Sequence, residues 1–236
     1  MSTLRITPMD PRFAALLPFL SDERVSRFNH VLESRTRHIC LVLENVYQSR
    51  NASAVMRTCD GVGIQDVHLI ENINPWVFNR HVSKGTPSWL TLHRYREAIN
   101  PTEACIEQLQ SDGYAIAVTS PHVDGQEVHE LPIDKPIALV MGTEFEGVSN
   151  TFLAAANHHV YIPMTGFAES LNISVAAGII MHDLARRSRT LPDTSWALSE
   201  AEKDILRAEW AMKTVRKSDV ILKQLKICLH TGKSLP

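Results

Sequence analysis

Two periodicities divide the chain. A short apolar run of the kind buried on both faces occurs at residues 38–43 (HICLVL) and another buried run at 114–119 (YAIAVT), and with 67–70 (VHLI), 89–95, 137–141 (IALVM) and 160–162 they predict six strands. Stretches with helical spacing lie between them. Asn51 stands where it would cap a helix whose Ala52, Val55, Met56 and Cys59 share one face, with Gly61 and Gly63 ending it. Asn100-Pro101 with Glu103 starts another helix, closed by Gly113; Ser149 caps a third through residue 156, and residues 173–187 form the last core helix. This alternation predicts an α/β fold: a mostly parallel sheet with helices on both faces.

The ends of the chain are helical and differ from the core. Asp22-Glu23 opens a segment with Val25, Phe28, Val31 and Leu32 at helical spacing and Arg24, Arg27 and Arg35 among its polar positions. Beyond a linker with Pro192, Ser199-x-x-Glu202 is a capping box that starts a region carrying Leu206, Trp210, Lys213, Lys217, Val220, Leu225 and Cys228, enough for two stacked helices. The expected organisation is an N-terminal helical arm at 1–37, a core at 38–189, and a linker with a basic helical tail at 190–236. Residues 72–88, punctuated by Pro, Asn and Gly, are too long for a simple connection, and such loops are often functional.

Composition narrows the classes. In 236 residues, 44% hydrophobic and 21% charged with a net charge of −2, disorder, collagen and a coiled-coil rod are excluded. No run of about 18 apolar residues and no signal-peptide core is visible, so a cytoplasmic protein is expected. Cys40, Cys59, Cys105 and Cys228 lack CxxC spacing and read as buried, reduced thiols; no metal is expected. The small net charge hides an asymmetry: residues 1–50 carry seven Lys/Arg against five Asp/Glu, 197–236 eight against five, and the middle nine against sixteen. Basic ends on an acidic core suit a protein that grips a polyanion with its extensions, and solvated helix faces would give the same counts.

In an open α/β sheet, ligands bind beyond the C-terminal ends of the strands. The loops there contain neither GxGxxG nor GxxxxGK[ST], which argues against a dinucleotide oxidoreductase and a P-loop NTPase. Three other blocks stand out. Asn51-Ala52-Ser53-Ala54-Val55-Met56-Arg57-Thr58 places an amide at a helix start and an arginine about one and a half turns later. Met141-Gly142-Thr143-Glu144-Phe145-Glu146-Gly147 runs a buried strand into a glycine turn carrying a carboxylate. Residues 162–176 (IPMTGFAESLNISVA) join a strand to a helix through a long loop containing Ser170 and Asn172. Taken singly, each is equally an ordinary capped helix, turn or loop.

Together, in this order, the blocks resemble the SpoU branch of the SPOUT RNA methyltransferases, over roughly residues 39–187. The resemblance implies a C-terminal trefoil knot, in which the chain near residues 164–171 threads through an earlier loop, and a homodimer whose site is completed across the interface. It implies a pocket for S-adenosyl-L-methionine lined by Thr119, Gly142, Ile162, Met164 and Leu171, and a catalytic and substrate-ordering set of Asn51, Arg57, Glu144, Ser170 and Asn172. Thr143 stands where the family often has Asn, Gln or Ser, a mild departure. The short N-terminal arm, the basic tail and Lys84-Gly85-Thr86-Pro87-Ser88-Trp89 look most like the subgroup that methylates the ribose of guanosine-18 in the tRNA D-loop. Ribosomal RNA is the close alternative substrate, and a non-catalytic RNA-binding protein on the same fold the more distant one. Arg24, Arg27, Arg50, Lys84, Lys213, Arg216, Lys217 and Lys223 are the expected RNA contacts. In the family Arg57 is proposed as the general base, but a guanidinium is effectively always protonated; gripping a phosphate and stabilising the developing alkoxide fit it better.

Overall fold

A computed structural model of the chain describes residues 9–46, 49–72, 85–96, 99–119, 125–143 and 146–229. The described residues form two compact units, one running up to Arg35 and resuming at Ala197, the other Thr36–Trp196.

The first unit begins with α1 (Pro11–Leu16), which the sequence pattern missed because it is short, and α2 (Asp22–Leu32). Asp10 caps α1, accepting from the Arg12 backbone N–H at 2.8 Å, and its carboxylate also holds the Arg12 guanidinium at 2.6 Å. Ser21 caps α2, which buries Phe28 and Leu32.

The second unit carries the sheet. Its strands are β1 (Ile39–Glu44), β2 (Asp66–Ile70), β3 (Thr91–Tyr95), β4 (Ala115–Thr119), β5 (Gln126–Glu127), β6 (Ile137–Met141) and β7 (His158–Tyr161). The order is β3-β2-β1-β6-β4-β7-β5, and every pairing is parallel. The six expected strands are present; β5 is the addition, two polar residues with no apolar run to reveal them. Expected at 160–162, β7 begins earlier, because Asn157 brackets Ile116 of β4 through its side-chain oxygen and backbone N–H (2.8 and 2.9 Å) and leads His158 and His159 into the ladder.

Alternation along β1 sorts the two layers. Ile39, Leu41 and Leu43 face one core with Val55 and Met56 of α3 (Ser49–Val62) and Ile180 and Met181 of a later helix; Cys40 and Val42 face the other with Cys105 and Leu109 of α4 (Pro101–Ser111) and Phe152 of α5 (Asn150–Ala155). That later helix is α6 (Ile173–Ser188), which packs on α3 with Cys59 Sγ and Met181 Sδ 3.5 Å apart. Two boundaries correct the sequence reading. Helix α3 starts at Ser49, so Asn51 lies in its first turn instead of capping it, and Gly61 is helical; only Gly63, at φ 88°, turns the chain out. At the other end of the unit comes the single turn α7 (Asp193–Trp196).

Helices α8 (Glu200–Thr214) and α9 (Ser218–Gln224) complete the first unit. The capping box at Ser199 and Glu202 forms as its spacing predicts. The segments read from sequence as separate N-terminal arm and C-terminal tail share this one unit. Trp210 of α8 meets the Phe28 ring edge-on at 5.5 Å, and the Arg35 guanidinium lies 5.5 Å from its ring centroid. Arg35 is therefore buried, at 1% exposure, where the sequence had it on the polar face: a planar cation over an indole can leave solvent. Lys203, also buried, is held by Glu33 and Glu200 at 2.8 and 2.9 Å. Cys40, Cys59 and Cys105 are buried as expected, while Cys228 is half-buried.

Candidate active site

All the strands run in parallel, so β4, β6 and β7 end on the same edge, and beyond that edge lies a cavity of about 570 Å³. Thr119, Met141 and Tyr161, the last residues of those strands, contribute to its wall; Ile173, Ala176 and Ile180 of α6 close another side. Thr119 is held by donating its hydroxyl to the Val140 carbonyl at 3.1 Å.

The glycine turn after β6 forms a third side. Thr143 and Gly147 exchange two backbone hydrogen bonds, at 2.9 and 3.1 Å. This closure leaves no room beside Gly142: a Cβ there would lie 1.9 Å from the Gly147 carbonyl oxygen and 2.5 Å from the Val148 nitrogen. Gly147 is needed for a different reason, its φ of 68°. The Thr143 hydroxyl accepts the Glu146 N–H at 2.9 Å, so its side chain adds a bond that closes the turn. Glu144 and Phe145 lie outside the described residues.

The loop from β7 to α6 is the fourth side. Ile162, Met164, Ser170, Leu171 and Asn172 all line the cavity; Ile162 and Leu171 are half-buried, whereas Met164, Ser170 and Asn172 are exposed. Asn172 is the N-cap of α6, accepting from the Ser174 N–H at 2.9 Å and its hydroxyl at 2.6 Å. Its amide nitrogen donates to Asn51 Oδ1 at 3.5 Å, so the first turn of α3 reaches the cavity rim. All five expected pocket residues and two of the five polar ones are thus gathered here, with Asn51 adjoining. Arg57 is not part of the wall. It stands exposed on α3, six residues beyond Asn51, with no hydrogen bond or ion pair among the described residues. Glu146 and Glu169 also line the cavity and were passed over in the sequence, though each sits within a block already singled out.

Of the expected RNA contacts, Arg24, Arg27, Lys213, Arg216, Lys217 and Lys223 are exposed on the first unit and Arg50 on α3 of the second; Lys84 lies outside the described residues. Away from the cavity, β2 and β3 carry a second polar cluster. Asp66 accepts from Arg37 and meets His93 Nε2, each at 2.8 Å, and the His93 ring stacks on His68 at 4.4 Å. Burial, helped by the charge of His93, pushes the His68 imidazole down to about 4. Burial alone would raise the Asp66 carboxyl, but the His93 hydrogen bond and the Arg37 charge outweigh it and hold it below the usual carboxylate range.

The strand ends, the glycine turn and the helix-capping loop thus surround one pocket, and the comparison with known families is direct: the SpoU rRNA Methylase family matches residues 38–182, and the chain belongs to it. The protein is a methyltransferase by that membership. Among individual relatives it is similar to the tRNA (guanosine(18)-2'-O)-methyltransferase of Borreliella burgdorferi, 39% identical over 205 residues that cover 87% of this chain and 92% of that one. The enzyme of the same name from Aquifex aeolicus is 31% identical over 83% of this chain and 92% of its own. The crystal structure of the A. aeolicus TrmH/SpoU tRNA modifying enzyme superposes with a TM-score of 0.73 at 31% identity, covering 83% of this chain and 98% of that one.

Proposed function

We propose that this protein transfers a methyl group from S-adenosyl-L-methionine to a ribose 2′-hydroxyl of tRNA, at guanosine-18 of the D-loop. The observation that carries the reading is the convergence of the second and third sequence blocks on one cavity, with the first block joined to its rim by the Asn51–Asn172 contact. A cavity of about 570 Å³ suits a nucleoside-sized ligand. Its donor set fits too: apolar Ile162, Leu171 and Ile180 for a flat adenine, backbone edges at the glycine turn, and the carboxylates of Glu146 and Glu169 for an amino acid's ammonium. When bound, the cofactor supplies a methyl group on a positively charged sulfur.

The remaining work falls to this chain's own side chains. Methyl transfer to an alcohol needs alignment and removal of one proton, without a metal or a covalent enzyme intermediate. Asn51, Ser170 and Asn172 order the incoming nucleotide and the cofactor's tail at the rim, together with Glu144. Arg57, permanently charged, grips the phosphate next to the target ribose with its planar fork and stabilises the alkoxide as it forms, while the proton leaves through phosphate or water. The basic residues of the first unit supply RNA affinity.

The reading includes the trefoil knot near residues 164–171, a cytoplasmic location that follows from the tRNA substrate, and a homodimer that completes the site. Support for the dimer comes from Val175 and Ile179, which lie one turn apart on α6 and are 50% and 44% exposed, and from Phe167, fully exposed in the preceding loop. The test is to incubate the protein with labelled S-adenosyl-L-methionine and separate tRNA and rRNA pools, then map modified riboses by nuclease digestion and mass spectrometry. Label at one D-loop guanosine is expected. Label confined to rRNA, or none, would overturn the proposal.

A further inference from the structure

Glu44 ends β1 and is 2% exposed, the only acidic residue in an otherwise apolar strand. Burying a carboxylate is costly unless its oxygens are satisfied. Here they are taken by two different elements: the Thr102 hydroxyl of α4 donates to Oε1 at 2.9 Å, and the Ser149 backbone N–H donates to Oε2 at 2.9 Å. Both donors are neutral, and among the described residues no cation pairs with Glu44. If packing alone were needed at the end of β1, an apolar side chain would serve better.

The identity of the donors gives the carboxylate a purpose. Ser149 is the residue at which the cavity-lining turn, with Thr143, Gly147 and Val148, passes into α5, and its hydroxyl accepts the Phe152 N–H at 3.4 Å. On the other side, Thr102 accepts from Asn72 Nδ2 at 2.9 Å, and the Asn72 N–H donates to Asn45 Oδ1 at 2.9 Å. One carboxylate therefore ties the segment leaving β1 and β2 to the far end of the turn leaving β6. We infer that Glu44 is a positioning residue: through Ser149 it fixes the Gly147–Val148 end of the turn, and with it the cavity wall against which the cofactor is held. This rests on the cofactor reading proposed above.

The experiment is calorimetric titration of the full chain with S-adenosyl-L-methionine and its demethylated product, with thermal unfolding in parallel. Glu44→Leu keeps the volume and removes the acceptor. Ser149→Pro removes the donor from the other side, at a φ of −62° that proline adopts. Each is expected to weaken cofactor binding about tenfold or more, and the double variant should lose less than the product of the two singles, because the Glu44–Ser149 bond is cut in both while only Glu44→Leu frees Thr102 and only Ser149→Pro uncaps Phe152. Glu44→Gln should stay within about threefold of wild type, its amide oxygen accepting from Ser149 and its NH₂ donating to Thr102. Folded Glu44→Leu and Ser149→Pro proteins with wild-type affinity would overturn the inference; if Glu44→Leu does not fold, unchanged affinity in Ser149→Pro does so alone. Wild-type protein that binds neither ligand would instead overturn the cofactor reading.

Discussion

Gly142→Ala tests whether the glycine turn is closed as tightly as its geometry says. The new methyl would lie 1.9 Å from the Gly147 carbonyl oxygen and 2.2 Å from its carbonyl carbon, both backbone atoms that no rotamer change can move aside. The turn can yield only by opening the Thr143–Gly147 bridge, breaking hydrogen bonds of 2.9 and 3.1 Å. Overpacking costs about 1–3 kcal/mol. Two hydrogen bonds add about 0.5–1.5 kcal/mol each, so the substitution should destabilise by roughly 2–6 kcal/mol. The same displacement shifts a wall of the cavity, so cofactor affinity should fall with it. Urea denaturation and calorimetric titration measure the two effects. Gly61→Ala is the control: it is helical with no atom within 4 Å of the added Cβ, and it should be neutral or stabilising by up to about 1 kcal/mol. A Gly142→Ala protein with wild-type stability and wild-type cofactor affinity would refute the argument.

Arg57→Ala should abolish methyl transfer and leave cofactor affinity nearly intact, since Arg57 is exposed and outside the cavity wall; Arg57→Lys should stay impaired with no recovery as pH rises in single-turnover assays, whereas strong recovery would mark a base. Neutralising Lys213, Arg216, Lys217 and Lys223 together should weaken tRNA binding and flatten its dependence on salt, by about 0.7–0.9 in log–log slope for each phosphate no longer neutralised, with cofactor binding retained; an unchanged slope in filter binding would leave these residues as solvated surface. His68 should produce an acid-sensitive window. Its folded pKa of about 4 lies below the unfolded value of 6.5, so the unfolded chain takes up the extra proton and stability falls as pH drops from 6.5 toward 4, by about 3 kcal/mol at the limit. Urea midpoints measured between pH 7 and 4 for wild type and His68→Gln should diverge through that window, and parallel curves would show that His68 is not the group responsible.

Local pattern made much of this protein legible. The central strands announced themselves because a strand covered on both faces, as β1 and β6 are, must be apolar at nearly every position, and that requirement is written in adjacent residues. Ser149, Asn100 and the Ser199–Glu202 box were readable as helix starts for the same reason: capping acts over three or four residues. The three chemistry-bearing blocks were visible as residue types in order.

What the pattern could not contain is which strand lies beside which. The order β3-β2-β1-β6-β4-β7-β5 brings β6, nearly a hundred residues later in the chain, against β1, and only that order lets Glu44 reach Ser149 across 105 residues and Asn172 reach Asn51 across 121. The burial of Arg35 over Trp210 and the clash that reserves Gly142 for glycine are likewise long-range or loop-closure effects. Hydrophobic periodicity reports how one element meets its immediate surroundings. The pairing of distant elements is decided by the packing of whole layers, so the residue types of the site were readable from the sequence, and the tertiary structure alone decided that the second and third blocks share one cavity and that Arg57 stands outside its wall.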